Sequence, residues 1–206
     1  GLSMTSTAVR WVLVEGTTGE GAPIDRGALD ISAIETFDAD GLLGALLDDE
    51  ETVAESRVRA IGITWTSDAE AAANTVLQAL AARGLENVVA VSEMEAAEAL
   101  ASGIADTTAY HDVAACIVEP DAAVVAMVNA EGVTVDRIAR PLDKADAVEL
   151  TSSVIAMLDL DDRRPDAIFV LGSDDFDPIV SSLDGVATSP VISAATAPRP
   201  STFSRK

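Results

Sequence analysis

Few residues of this chain stand in a pattern that performs chemistry unaided. The single histidine, His111, sits beside Asp112, and Ser153 is the kind of nucleophile that could be set near them. There is no Gly-x-Ser-x-Gly elbow to expose a serine, and adjacency in sequence does not orient a base, so His111 reads as a loop or strand-edge residue. The single cysteine, Cys116, can neither close an intramolecular disulfide nor supply a thiolate cluster, and it reads as a small buried residue of a strand. HExxH, CxxC, EF-hand and GxxxxGK[S/T] patterns are all missing, so no catalytic residue and no metal ligand is assigned from a motif. Three acidic clusters, Asp48–Glu51, Asp159–Asp162 and Asp174–Asp177, read as solvated surface that keeps an Ala/Val-rich protein dispersed, or as docking sites for a basic partner segment.

Composition narrows the partners further. The 206 residues carry 13 Lys+Arg against 35 Asp+Glu, a formal net charge of −22. Such a field repels phosphate backbones and anionic lipid, so neither nucleic acid nor a membrane surface is an expected ligand. An apolar fraction of 49% with a mean hydropathy of +0.28 supports a sizeable core, and with 3% aromatic residues that core must be Ala, Val, Ile and Leu. No apolar run reaches the ~18 residues of a spanning helix. Gly1-Leu2-Ser3 ahead of Met4 reads as a tag scar, and residues 1–8, which lack a basic n-region and an apolar h-region, as a flexible N-terminus and not a signal peptide. A cytoplasmic location is expected.

The elements that would position a site follow from periodicity. Val9–Glu15 and Ile24–Ile31 read as a hairpin around the Gly-rich stretch Gly16–Pro23, with Ser32–Phe37 a candidate third strand and Leu42–Arg57 an amphipathic helix. Ala60–Trp65 is a buried-type strand, Asp68–Arg83 an Ala-rich helix stopped by Gly84, Asn87–Ser92 a strand, and Glu93–Ser102 a short helix. The order then restarts: strands Asp112–Glu119, Ala122–Asn129 and Gly132–Arg140, helix Asp143–Asp159, strand Asp166–Leu171, a short helix Asp177–Leu183 begun by Pro178, and a last strand Gly185–Ile192. Residues 9–103 and 112–192 therefore read as tandem βββαβαβ lobes, an internal duplication in which Glu15 and Glu119 would close matching first strands. Residues 193–206 read as a Pro/Ser/Thr linker, expected to lead into a Pro- and Thr/Ser-rich region of a longer protein.

Two ribonuclease H-like α/β lobes facing across a cleft resemble the ATPase superfamily of actin, the heat-shock (DnaK-like) chaperones and the sugar kinases. The likeness extends to local motifs. Glu15-Gly16-Thr17-Thr18-Gly19 is similar to the family's first phosphate loop. Gly84-Leu85-Glu86-Asn87-Val88 followed by Ser92-Glu93-Met94-Glu95-Ala96-Ala97 resembles the chaperone segment "Gly-Leu-x-x-Val … Asn-Glu-Pro-Thr-Ala-Ala-Ala". Phe169-Val170-Leu171-Gly172-Ser173 with Pro178-Ile179-Val180 looks like the adenosine-binding stretch. The resemblance implies nucleotide contacts from Glu15, Gly16, Thr17, Thr18, Gly19, Glu93, Glu119, Gly172 and Ser173, with the three glutamates gathered around Mg²⁺.

The departures from that pattern carry as much information. A triphosphate needs inward-pointing backbone N–H groups from Gly-rich turns and a carboxylate-held Mg²⁺. Where the family has Asp-Leu-Gly-Gly-Gly-Thr, this chain has Glu119-Pro120-Asp121-Ala122-Ala123-Val124: proline removes a donor, alanine does not freely adopt positive φ, and Asp121 adds charge of the wrong sign. The adenosine stretch keeps one glycine and carries Asp174, Asp175 and Asp177. The expectation is a degenerate ATPase-like domain without a bound cofactor, acting as a non-catalytic binding or scaffold module for a protein partner. The alternatives are a slow Mg-ATP-binding ATPase or nucleotide switch, and small-molecule binding in the interlobe cleft.

Overall fold

The computed structural model describes residues 1–16, 21–31, 37–47, 58–139, 147–159, 164–172 and 177–195. The chain divides into two compact units between Val91 and Ser92. The first holds β1 (Leu2–Met4), β2 (Ala8–Val14), β3 (Pro23–Asp30), α1 (Ala39–Leu47), β4 (Ile61–Trp65), a 3₁₀ turn (Ser67–Ala69), α2 (Glu70–Ala82) and β5 (Val88–Ala90). The second holds α3 (Glu93–Thr107), β6 (Val113–Val118), β7 (Ala122–Asn129), β8 (Gly132–Ala139), α4 (Ala147–Asp159), β9 (Ala167–Gly172), α5 (Asp177–Val186) and β10 (Val191–Ala195).

Each unit is one five-stranded mixed sheet, ordered β3-β2-β1-β4-β5 in the first and β8-β7-β6-β9-β10 in the second. The hairpin partners run antiparallel, and β1-β4-β5 and β6-β9-β10 run parallel. The registers coincide as well: Met4 pairs with Val9 and Trp65, and Val118 with Ala123 and Gly172, which makes Met4 the counterpart of Val118. The α/β, two-lobe duplication read from the sequence is therefore present, with its phase shifted.

That shift corrects the reading of the N-terminus. Residues 1–8 are not a flexible tail: β1 is the central strand of its sheet, flanked by β2 and β4, with Leu2 and Met4 buried. A strand of three residues is too short to show periodicity, and its apolar pair is separated by a serine. Two boundaries move with it. The first unit starts at β1 and not at residue 9, and α3 belongs to the second unit, so neither residue 103 nor residue 112 is a boundary. At the other end Gly185 lies in α5, and β10 takes in Ser193–Ala195, the start of the expected linker. The proposed strand at 32–37 and the second half of the proposed helix 42–57 fall largely outside the described residues, as do 196–206.

Side-chain alternation builds three cores. Leu2, Met4, Val9, Ile61 and Ile63 line one face of the first sheet and pack with Leu42 and Leu43 of α1 and Ala73, Val76 and Leu80 of α2. The second sheet is covered on both faces. Val154 of α4 and Ile179 and Leu183 of α5 pack on Cys116, Val118, Val125 and Val170, while Ala97 and Ala101 of α3 pack on Ala115, Val124 and Ala126. Ala97 and Ala101 are one helical turn apart, so the stripe they form lets α3 approach the strands closely. One end signal is used as read: Gly84, at φ +74, ends α2, with its own N–H bonded to Ala81 O and that of Leu85 to Leu80 O. Ser92, placed at the end of a strand by the sequence reading, instead caps α3 in a reciprocal capping box with Glu95, and the strand stops at Ala90.

Candidate functional site

In the second unit the turn between the first two strands is Glu119-Pro120-Asp121, closed by Glu119 N–H donating to Ala122 O at 2.8 Å. Its counterpart in the first unit is Thr5-Ser6-Thr7, closed by Thr5 N–H donating to Ala8 O, also at 2.8 Å. Glu15 therefore has no equivalence with Glu119. It follows β2, at the base of the second hairpin, where its N–H donates to Ala22 O and its carbonyl accepts from Gly21 N–H, both at 3.1 Å. Sequence reading missed Thr5, Ser6 and Thr7 because residues 1–8 carried no assigned element; the signal was the hydroxyl run between Met4 and Val9.

Both first hairpins are poorly suited to a phosphate chain. The Thr5 hydroxyl accepts from the N–H groups of Thr7 at 3.3 Å and Ala8 at 3.1 Å, so the donors that would face an anion are satisfied within the turn. The other turn has lost one donor to Pro120 and carries Asp121, which is almost fully buried. Neither turn contains glycine; among the described residues the left-handed glycines are Gly16, Gly84, Gly132 and Gly172. Mg-nucleotide therefore does not fit these turns.

The remaining expected site residues are dispersed. Gly16, at φ +99, serves the β2–β3 turn, and Thr17, Thr18, Gly19 and Ser173 lie outside the described residues. Gly172 has a backbone reason to be glycine: its φ is +149, and a Cβ there would run into the Val118 carbonyl on the neighbouring strand. Glu15 is exposed in the first unit, whereas Glu93 and Glu119 belong to the second. No group of three His, Cys, Asp or Glu suited to a metal occurs among the described residues. His111 offers its backbone N–H to Asp166 Oδ2 at 3.0 Å, joined by the Asp112 N–H at 3.2 Å. These two bonds, that of Asp112 first, hold the Asp166 carboxyl below its ordinary range.

Glu93 does have a charged partner, which the sequence did not announce. As the first residue of α3 it accepts from Arg137 Nε on β8 at 3.2 Å, with the two side chains 18% and 30% exposed. Burial pushes the Glu93 carboxyl up; Arg137 opposes this and nearby Asp121 adds to it. Glu93 thus sits between a guanidinium that favours its charge and a carboxylate that opposes it. The pair anchors the first turn of α3 to the sheet.

Among solved structures, the chain is similar to the Ppx/GppA phosphatase of Aquifex aeolicus, at 13% identity and a TM-score of 0.55, covering 84% of this chain and 66% of that one. It thus spans just under two thirds of that phosphatase's length. It is also similar to the PilM-PilN type IV pilus biogenesis complex, at 13% identity and a TM-score of 0.60, over 94% of this chain and 87% of that one. A Bacteroides thetaiotaomicron protein with an actin-like ATPase fold and unknown function matches at 8% identity and a TM-score of 0.59, over 93% and 89%. None of the curated proteins matches the sequence. At such identities the likeness establishes the fold, and that fold is the two-lobed actin-like ATPase fold expected from the motifs. Among the described residues no helix is long and apolar enough to cross a membrane. A family model covers residues 1–199, β1 included, and the chain accordingly belongs to the family of unknown function DUF7159.

Proposed function

We propose that this actin-like ATPase-fold domain is a non-catalytic binding or scaffold module of a longer protein. The observation that carries the reading is the chemistry of the paired first hairpins. In one, the Thr5 hydroxyl consumes the Thr7 and Ala8 donors; in the other, Pro120 removes a donor and Asp121 supplies an anion. A phosphate approaching either turn would have to displace an internal hydrogen bond or meet a like charge, and two unit charges ~4 Å apart repel by about 4 kcal/mol at an effective dielectric near 20. The PilM-PilN complex supports the scaffold half of the proposal, since there the same fold is part of a protein–protein assembly. A cytoplasmic setting and a protein partner belong to the same proposal.

Thermal unfolding followed with Mg-ATP, Mg-ADP and adenosine tests it. A ligand specific to the folded state adds about 2.7 kcal/mol at a hundredfold excess over its Kd, so millimolar nucleotide would visibly raise the Tm if affinity were in the tens of micromolar. The expected result is no shift and no phosphate release. A reproducible rise in Tm accompanied by phosphate release would establish the slow ATPase instead.

A further inference from the structure

β3 is the outermost strand of the first sheet, paired with β2 on one side and, among the described residues, with no strand on the other. Its register fixes the direction of its backbone groups. Ile31 N–H donates to Thr7 O at 2.8 Å, and Ile31 continues the strand in step with Leu29, Gly27 and Asp25. In an antiparallel ladder alternate residues turn both backbone groups toward the partner, so these bond to β2 while Arg26, Ala28 and Asp30 turn N–H and C=O outward. Arg26, Leu29 and Asp30 are exposed, Leu29 at 39%. Side chains alternate as well, which puts Arg26 and Asp30 on one face of the sheet. On the other face a Cβ at Gly27 would run into the Trp11 ring, whose Nε1–H donates to Asp25 Oδ2 at 3.2 Å, so the indole lies across the edge strand at Gly27.

We infer that this edge is the interface of a homodimer, in which β3 of one copy pairs antiparallel with β3 of a second and joins two five-stranded sheets into one. The charges select the register. Only the residues that turn their backbone groups outward can form the new ladder, so Arg26, Ala28 and Asp30 must face one another across it. Arg26 opposite Arg26 would set like charges in contact, and Arg26 opposite Ala28 would leave both charges unmatched. Ala28 opposite Ala28, on the two-fold axis, sets Arg26 of each copy opposite Asp30 of the other and makes two cross-strand ion pairs by symmetry. Asp30 already has a contact within its own chain, and a carboxylate, with about four acceptor sites, accommodates both. The same register sets the exposed Leu29 of each copy opposite Gly27 of the other, where the Trp11 ring offers an apolar surface in place of a side chain. A guarded edge carries charge of one sign, or a proline or bulge within the strand; here Pro23 and the register shift between Leu13 and Val14 lie at its start and leave Arg26–Asp30 regular, with charges of opposite sign. So short a ladder buries little area, which makes the dimer reversible. The first hairpins take no part, so the interface holds whether or not they bind phosphate.

Sedimentation equilibrium of the full chain over a concentration series tests the dimer. It is run at ~0.15 M salt, where repulsion between two chains of net charge −22 is screened beyond about 8 Å and charges in contact are screened less. The expected result is a reversible monomer–dimer equilibrium whose dissociation constant rises at least tenfold in Arg26→Glu and returns most of the way when Asp30→Lys is added, with thermal unfolding of each variant reporting that it is folded. The register is tested separately by cross-linking. Cα atoms of a hydrogen-bonded antiparallel pair lie ~5.5 Å apart, within disulfide reach, and the native Cys116 is buried. Mild oxidation should therefore link two copies of Ala28→Cys and leave Arg26→Cys unlinked. A chain that stays monomeric at every concentration overturns the proposal. So does a dimer indifferent to Arg26→Glu, which would place the interface elsewhere, and so does cross-linking of Arg26→Cys as readily as Ala28→Cys, which would show that charge does not set the register.

Discussion

At the residue scale, the informative asymmetry lies at Arg137. Glu93 accepts from Arg137 at 3.2 Å and is opposed by the nearby carboxylate of Asp121, so deleting the cation and deleting this anion are not equivalent. Arg137→Ala leaves two poorly hydrated charges close together and is expected to cost about 2–3 kcal/mol, whereas Glu93→Gln removes a burial cost together with the pair and should stay within about 1 kcal/mol. Urea denaturation of both variants checks the difference; equal losses would show that Asp121 lies outside the pair's influence. The pH dependence has opposite signs at two acids. The folded pKa of Glu93 is raised by burial, so its unfavourable contribution is present above that pKa and relieved as pH falls through it. Asp166 is held below its ordinary range by two backbone N–H groups, so its stabilisation is present above the unfolded pKa and lost as pH falls through the folded one. Tm measured through the carboxylate range should therefore lose its gain on acidification in Glu93→Gln and lose part of its acid-side decline in Asp166→Asn.

At the element scale, β1 matters out of proportion to its length. Its three residues pair on both sides, antiparallel to β2 and parallel to β4, and place Leu2 and Met4 in the core. Met4→Ala should cost about 2–5 kcal/mol, as truncations of buried large side chains do. Removal of residues 1–5 should abolish hydrogen-exchange protection in β2 and β4 while β6–β9 keep theirs; retained protection in β2 and β4 would show that the sheet closes without its centre. The hairpins and α2 were legible because their signals are local: an apolar, β-branched run in β2, alternation in β3, apolar runs in β6 and β7, and an Ala-rich helix with Gly84 at its end. The membership of α3 was not legible. Its capping box says where a helix begins, but nothing in Ser92 or Glu95 says which sheet Ala97 and Ala101 will meet.

For the whole molecule, charge sets the condition of stability. With a net charge of −22, self-repulsion opposes both folded units, and salt screens it over a Debye length of about 10 Å at 0.1 M. Raising NaCl from ~20 mM to ~500 mM is expected to increase the Tm by several degrees. A flat response would mean that the acids are already compensated by local hydrogen bonds of the kind Asp166 makes.

The amino-acid sequence by itself determined the α/β class, the duplication, the positions of most strands and helices, and the loss of glycine and donor at Glu119-Pro120-Asp121, because each of these depends on neighbours within a few residues. Only the tertiary structure decided that the duplication begins at Leu2, since a short central strand is identified by what pairs with it on either side. The same holds for the candidate site. Glycine and proline content announced one defective hairpin, but the other became visible only once β1 was in place and the Thr5 hydroxyl was seen to accept from Thr7 and Ala8. Arg137 joins Glu93 across 44 residues of sequence. Nothing in either residue's local pattern encodes that meeting, because it is the packing of α3 on the sheet that brings them within 3.2 Å.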